Sequence, residues 1–153
     1  MRRIFLTFFY TGLSPFAPGT VGSIAAAVLG YFILHYLGAE TLVLLTILIS
    51  IIAIKEIDKY EAQTNLHDHK SIVIDEVVGV WLAFSISATS SITQALLALV
   101  FFRIFDILKP SYIGRIDRNV KGGLGVMGDD LLAGVVAGVS TAITYQIIER
   151  YIY

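Results

Sequence analysis

The sequence predicts an all-α protein, built as a compact bundle of apolar helices that are embedded in a membrane. Hydrophobic residues make up 56% of the chain and the mean hydropathy is +0.78, which are high values for a soluble domain. Charged residues make up only 15%, and long apolar runs separate them. The length of 153 residues suits one domain, which we expect to cover residues 1–153.

The composition also excludes several classes of function. The chain has no cysteine, which excludes disulfides, thiolate zinc sites and cysteine nucleophiles. Its net charge is −1, and no basic patch is interleaved with aromatic residues. We therefore expect no nucleic-acid partner.

The first part of the chain predicts an interfacial segment followed by a helical hairpin. Met1–Tyr10 has basic residues before a short apolar run, and we expect it to stay in the mature chain at the membrane interface. The loop TGLSPFAPGTVGS then places Thr20 as the N-cap of an apolar helix over Val21–Leu37. The free N–H groups of that helix end, with the Thr20 and Ser23 hydroxyls, suit an anion site and a plain capped helix about equally. A short joint leads to the second apolar run, Leu42–Ile54.

A polar segment, KEIDKYEAQTNLHDHK, extends this helix and leads into the next one. His67 and His69 do not share a helix face, so a solvated turn is favoured over a zinc site. The next apolar run, Ser71–Ala88, carries Asp75 and Glu76 near its start. The helix dipole accounts for one acid in a first turn, whereas the other requires a cation or a proton.

Two further apolar helices are predicted, over Gln94–Leu108 and Leu131–Ile148. Between them, the glycines of Gly122–Gly128 predict a pliant loop that brings Asp129 and Asp130 to the start of the final helix.

Small residues and charges are placed in a pattern along these two helices. Gly134 and Gly138 have the spacing that lets membrane helices pack closely. Arg103 and Asp106 lie three residues apart, so they share a helix face.

The loops that carry lysine and arginine fall on the same side of the membrane as Arg2, which predicts the cytoplasmic side for the acidic residues as well.

This set of charged residues predicts phosphoryl chemistry on a lipid. Carboxylates without cysteine favour Mg²⁺, Mn²⁺ or Ca²⁺, and the basic residues from Arg103 to Lys121 suit a phosphate. A site at the membrane surface implies a phospholipid headgroup. Two alternatives remain open: a small ion or proton transporter that uses the Asp75–Glu76 pair, and a structural membrane protein.

Three blocks of the sequence resemble the bacterial phosphatidylglycerophosphate phosphatase A family. They are GLSPFAPGTVGS, SIVIDEVVG, and the stretch from Phe102 to Gly134 with its FRxFDxxKP and DRNVxGGxGVMxDDxxAG patterns. One departure is Tyr112, where the family often has a second proline. The resemblance implies an all-helical, Mg²⁺-dependent enzyme that removes the terminal phosphate of phosphatidylglycerophosphate to give phosphatidylglycerol. It also implies the bacterial inner membrane, with the active site on the cytoplasmic face.

The residue roles expected from the motifs and this resemblance fall into two groups. We expect Glu76, Asp129 and Asp130 to bind Mg²⁺, and Asp75 or Asp106 to assist in catalysis or to orient the other groups. We expect the phosphate to be bound by a second, basic and polar group: Thr20, Ser23, Arg103, Lys109, Arg118 and Asn119. Water attack with a carboxylate base and a covalent aspartyl phosphate both stay open, and so does the oligomeric state.

Overall fold

The computed structural model describes residues 1–152, and these form seven α-helices with no strand among them. The helices are α1 Arg2–Leu6, α2 Pro18–Leu37, α3 Ala39–Thr64, α4 Ile74–Ile86, α5 Ile92–Leu108, α6 Tyr112–Asn119 and α7 Gly122–Ile152. A 3-10 turn at Thr11–Leu13 lies between α1 and α2. The predicted all-α fold is therefore confirmed.

Helix α4 is the centre of the bundle, and α2, α3, α5 and α7 pack around it. After its acidic first turn, its sequence is apolar on every side, which is typical of a helix that is buried all round. Val77, Val80 and Phe84 are fully buried, and Trp81 is 2% exposed. The Trp81 indole Nε1 donates to the Ala26 carbonyl oxygen at 2.8 Å, which satisfies its polar group inside the core.

Two helices, α2 and α7, are long and apolar enough to cross a membrane. The 20 residues of α2 extend over about 30 Å, the thickness of a hydrocarbon core. Aliphatic side chains also cover the outer faces of the bundle, as at Leu44 and Ile51 on α3 and Ile147 on α7. An apolar outer surface of this kind indicates a membrane-associated protein.

Small residues let α4 and α7 approach each other closely. A Cβ atom added at Gly134 would collide with the Gly79 carbonyl oxygen, and one added at Gly138 would collide with Ile86. The predicted close packing through Gly134 and Gly138 is confirmed. Because Gly79 also lies against the Asp130 carbonyl oxygen, this contact fixes α7 beside the first turns of α4.

Two predicted helix starts are wrong. Helix α2 begins at Pro18, and its N-cap is Ala17 rather than Thr20. Proline is favoured at a first helical position because its fixed φ and missing N–H suit it there. Helix α7 begins at Gly122, so Asp129 lies about two turns inside the helix instead of at its start.

The glycines before Asp129 serve close approach, not loop flexibility. A Cβ atom at Gly123 would collide with the Ile54 carbonyl oxygen, and one at Gly125 with the Val120 carbonyl oxygen. Asp58 of α3 accepts a hydrogen bond from the Gly123 N–H at 2.7 Å, so it caps α7 from another helix. These contacts make a helix stable where the glycine content suggested a loop.

Candidate active site

The ends of several helices meet around a polar pocket of about 270 Å³. Pro18 and Gly19 line it from the first turn of α2, and the remaining walls come from the α3–α4 loop, α4, α5 and α7. The charged residues of the lining are Asp68, Lys70, Asp75, Glu76, Arg103, Asp106, Lys109, Asp129 and Asp130. The predicted gathering of acids from separate helices is thus seen in the structure.

Three carboxylates form the tightest cluster in this pocket. Asp75 and Glu76 lie in the first turn of α4, and Asp130 comes from α7. One oxygen of each lies within 4.8 Å of the others, which is close enough for the three to share one ion. The sequence places two of these acids side by side, and the glycine contact between α4 and α7 brings the third.

The buried oxygens of this cluster fit a cation. Asp75 is 7% exposed and Asp130 is 3% exposed. Asp75 Oδ1 and Glu76 Oε2 have no hydrogen-bond partner among the described residues. An unpaired buried carboxylate oxygen is costly, and a metal ion would satisfy it. A donor set made only of carboxylate oxygens suits a hard divalent cation such as Mg²⁺, Mn²⁺ or Ca²⁺.

The charge balance of the pocket favours the same conclusion. Its lining carries six carboxylates but only three basic side chains. A phosphate group that entered this pocket would meet a net negative wall and be repelled. A bound divalent cation would offset that repulsion, so the pocket suits a phosphate and a cation together.

Arg103 connects the acidic cluster to the start of α2. Its Nη1 atom donates to Asp106 Oδ2 at 2.5 Å and lies 3.9 Å from Glu76 Oε1. The same guanidinium donates to Ser23 Oγ at 3.3 Å and to Thr20 Oγ1 at 3.4 Å. The structure therefore brings together Thr20, Ser23 and Arg103, three of the residues expected to bind the phosphate.

Lys109 connects two other acids at the opposite side of the pocket. It follows the last residue of α5 in a left-handed conformation, with φ of 43°. Its Nζ atom donates to Asp117 Oδ1 at 2.5 Å and to Asp129 Oδ2 at 2.6 Å. Partial burial acts to lower the pKa of Lys109, but the bonds to Asp117 and Asp129 outweigh it and raise that pKa above its usual value. Lys109 therefore stays charged.

The structure divides the predicted site residues differently from the sequence. Asp75 joins Glu76 and Asp130 in the three-carboxylate cluster, whereas Asp129 is held by Lys109. The geometry thus favours Asp75 as the third ligand in place of Asp129. The difference arises from the way α7 is rotated against α4, because Asp130 faces Asp75 and Glu76 whereas Asp129 contacts Lys109 at 2.6 Å.

Arg118 and Asn119 do not line the pocket. Both are exposed on α6, which the sequence did not predict as a helix, and Asn119 donates to the Arg115 carbonyl oxygen at 2.9 Å. The geometry therefore gives no support for either residue as a phosphate ligand.

Sequence reasoning also missed residues at this site. Asp68 and Lys70 line the pocket, and neither was among the predicted site residues. His67 instead contacts Glu61, and His69 contacts Ser71. The signal available in the sequence was the position of Asp68 and Lys70 just before the acidic first turn of α4.

A family model for phosphatidylglycerophosphatase A matches residues 4–145. The chain belongs to the phosphatidylglycerophosphatase A family. Phosphatidylglycerophosphatase A of Haemophilus influenzae is 40% identical over 129 residues, which cover 84% of this chain and 79% of that protein. The Escherichia coli protein of the same name is 38% identical over 129 residues, covering 84% of this chain and 74% of its own length.

A third relative of this chain has a different name. It is a putative phosphatidylinositol-3-phosphatase of Bacteroides thetaiotaomicron, 36% identical over 148 residues. The match covers 93% of this chain and 92% of that protein. No solved structure matches the chain.

Proposed function

We propose that this protein hydrolyses the terminal phosphate of phosphatidylglycerophosphate, giving phosphatidylglycerol and inorganic phosphate, with Mg²⁺ as its cofactor. The observation that carries the proposal is the acidic pocket with Arg103 at the end of an apolar bundle, in a member of the phosphatidylglycerophosphatase A family. We place the enzyme in a bacterial inner membrane with this pocket on the cytoplasmic side, because the basic loops lie at that end. Family membership favours this enzyme over the ion or proton transporter.

Asp75, Glu76 and Asp130 would hold the cation. Their convergence within 4.8 Å and the unpaired buried oxygens of Asp75 and Glu76 support this assignment. A divalent cation supplies positive charge beside the phosphoryl oxygens, where negative charge must be stabilised in the transition state. Mg²⁺ typically takes a few carboxylates together with phosphate oxygens and water, and these three carboxylates fit that pattern.

Arg103 would bind the phosphate beside this cation. Its guanidinium is fixed by Asp106, Ser23 and Thr20, so little side-chain freedom is lost when a phosphate binds. Asp106 would then orient Arg103 instead of reacting with the substrate. Gly19 supports the arrangement, because a Cβ atom there would collide with Glu76 Oε1.

Asp129 would act as the base that accepts a proton from the attacking water. One of its oxygens is held by Lys109, while the other, Oδ1, is buried without a partner among the described residues. Asp129 lines the same pocket as the three-carboxylate cluster but is not a member of that cluster. General-base catalysis typically contributes about 10²–10⁴-fold to a rate. Asp129→Asn should therefore lower kcat by that factor and leave cation binding unchanged.

A second substrate is supported by one observation. A relative whose match covers 93% of this chain carries the name of a putative phosphatidylinositol-3-phosphatase. Phosphatidylinositol 3-phosphate is likewise a lipid phosphomonoester, so the same pocket could accept its phosphate.

The test is phosphate release by the purified protein from each of these two lipids, with Mg²⁺ and with EDTA. We expect Mg²⁺-dependent release, and a higher kcat/KM for phosphatidylglycerophosphate. Faster release from phosphatidylinositol 3-phosphate would replace the proposed substrate with the second one. Full activity in EDTA would remove the cation from the proposal.

A further inference from the structure

An apolar groove of about 380 Å³ lies between α2 and α5 on the outer surface of the bundle. Its lining includes Ile24, Ala27 and Val28 from α2, and Ala95, Leu96 and Leu99 from α5. The alanines are partly buried, whereas Val28 and Leu96 are more than half exposed. Small side chains on the inside and larger ones at the edges make a channel that is open to the surrounding membrane.

One end of this groove lies a single helical turn from Arg103, which lines the polar pocket. Arg103 of α5 lines the pocket and at the same time contacts Thr20 and Ser23 of α2. The next residue of α2, Ile24, and the residue one turn earlier in α5, Leu99, are the first residues of the groove. Arg103 therefore lies where the charged pocket ends and the apolar groove begins.

The far end of the groove lies about one leaflet of a bilayer away from Arg103. Along α5, the eleven steps from Arg103 back to Ile92 correspond to about 16 Å. Half of a hydrocarbon core of about 30 Å is about 15 Å. A chain in this groove would thus begin at the level of the phosphate site and end near the middle of the membrane.

We infer that the groove between α2 and α5 binds an acyl chain of the substrate lipid while its phosphate lies in the pocket beside Arg103. The inference rests on the proposed lipid phosphatase activity. The occupant follows from three observations: an apolar lining, a far end about one leaflet away from Arg103, and a near end one helical turn from Arg103. A lipid with a phosphate headgroup matches this arrangement, because its charged phosphate is followed by an apolar acyl chain.

The groove would act by positioning the substrate. Lipid tails in the bilayer are as apolar as the groove, so little affinity is gained when a chain enters it. The groove instead positions the phosphate, since an acyl chain held here sets the depth at which the phosphate meets the cation site. A shift of about 1 Å in substrate position can reduce a rate about 10²-fold, so a blocked groove should reduce kcat/KM.

The test compares a long-chain and a short-chain form of phosphatidylglycerophosphate in detergent micelles. Leu96→Trp would fill the groove about 10 Å along α5 from Arg103, beyond the reach of a short chain. Leu48→Trp on α3 is the matched control, because Leu48 is 53% exposed and Leu96 is 58% exposed. Val28→Trp, on the α2 side, is a second groove variant at a position that is also exposed.

We expect Leu96→Trp and Val28→Trp to lower kcat/KM for the long-chain lipid at least tenfold and to leave the short-chain value within about twofold. Leu48→Trp should change neither value. Equal losses on both lipids, or no loss on either, would overturn the groove assignment while the phosphatase activity stood. If the unsubstituted protein released no phosphate from either lipid, the proposed function itself would be wrong.

Discussion

Replacing Glu76 with glutamine should make the protein more stable and less active at the same time. In the absence of a cation, the carboxylates of Asp75, Glu76 and Asp130 repel one another inside the bundle. At a separation of 4.8 Å and an effective dielectric constant of about 20, each ionised pair costs about 3 kcal/mol. The glutamine amide keeps the shape but must find partners in the same pocket, so we expect a net gain of about 1–3 kcal/mol.

This gain can be measured as a melting temperature in EDTA. For a chain of 153 residues, 1 kcal/mol corresponds to about 2–4 °C, so Glu76→Gln should melt about 2–12 °C higher than the unsubstituted protein. Mg²⁺ at about 100 times its Kd should add about 2.7 kcal/mol to the unsubstituted protein and little to the variant. Phosphatase activity should fall below detection in Glu76→Gln.

Glu56→Gln is the matched control for this experiment. Glu56 lies on α3 outside the pocket, and the exposed ion pairs with Lys59 and Arg2 lower its pKa. Exposed pairs of this kind add little to stability, so the control should keep its activity and its response to Mg²⁺. A lower melting temperature for Glu76→Gln in EDTA, or an unchanged response to Mg²⁺, would refute the reasoning.

Three other substitutions test separate contacts. Gly19→Ala should displace Glu76 and lower phosphatase activity at least tenfold, and activity close to normal would contradict the packing at the start of α2. Asp58→Ala removes the cap on Gly123 and should lower the melting temperature by about 2–4 °C; an unchanged value would show that this cap contributes nothing. Lys109→Met leaves two aspartates without their cation and should destabilise the protein by about 1–2 kcal/mol in thermal unfolding, whereas Lys109→Arg should recover most of that loss.

Much of the bundle follows from local sequence patterns. Apolar runs of helical length predict the helices, and the acidic pair in the first turn of α4 follows from the position of Asp75 and Glu76. The Arg103–Asp106 pair follows from a spacing of three residues on a helix. Such features depend on neighbours in the sequence, so the sequence alone is enough to predict them.

Other features depend on contacts between distant segments. Glycines at the start of α7 favour a loop by their intrinsic preference, but contact with α3 and the cap from Asp58 favour a helix there. The choice between Asp75 and Asp129 as cation ligands depends on how α7 is rotated against α4, which packing at Gly79 and Gly134 sets. No pattern in the sequence gives that rotation.

The central claim is that Asp75, Glu76 and Asp130 together hold one divalent cation. The most direct measurement is a Mn²⁺ titration followed by electron paramagnetic resonance, on the unsubstituted protein, Asp130→Asn and Asp129→Asn. We predict that Asp130→Asn loses a Mn²⁺ site which the unsubstituted protein and Asp129→Asn both retain. Equal Mn²⁺ binding by Asp130→Asn and the unsubstituted protein would contradict the claim.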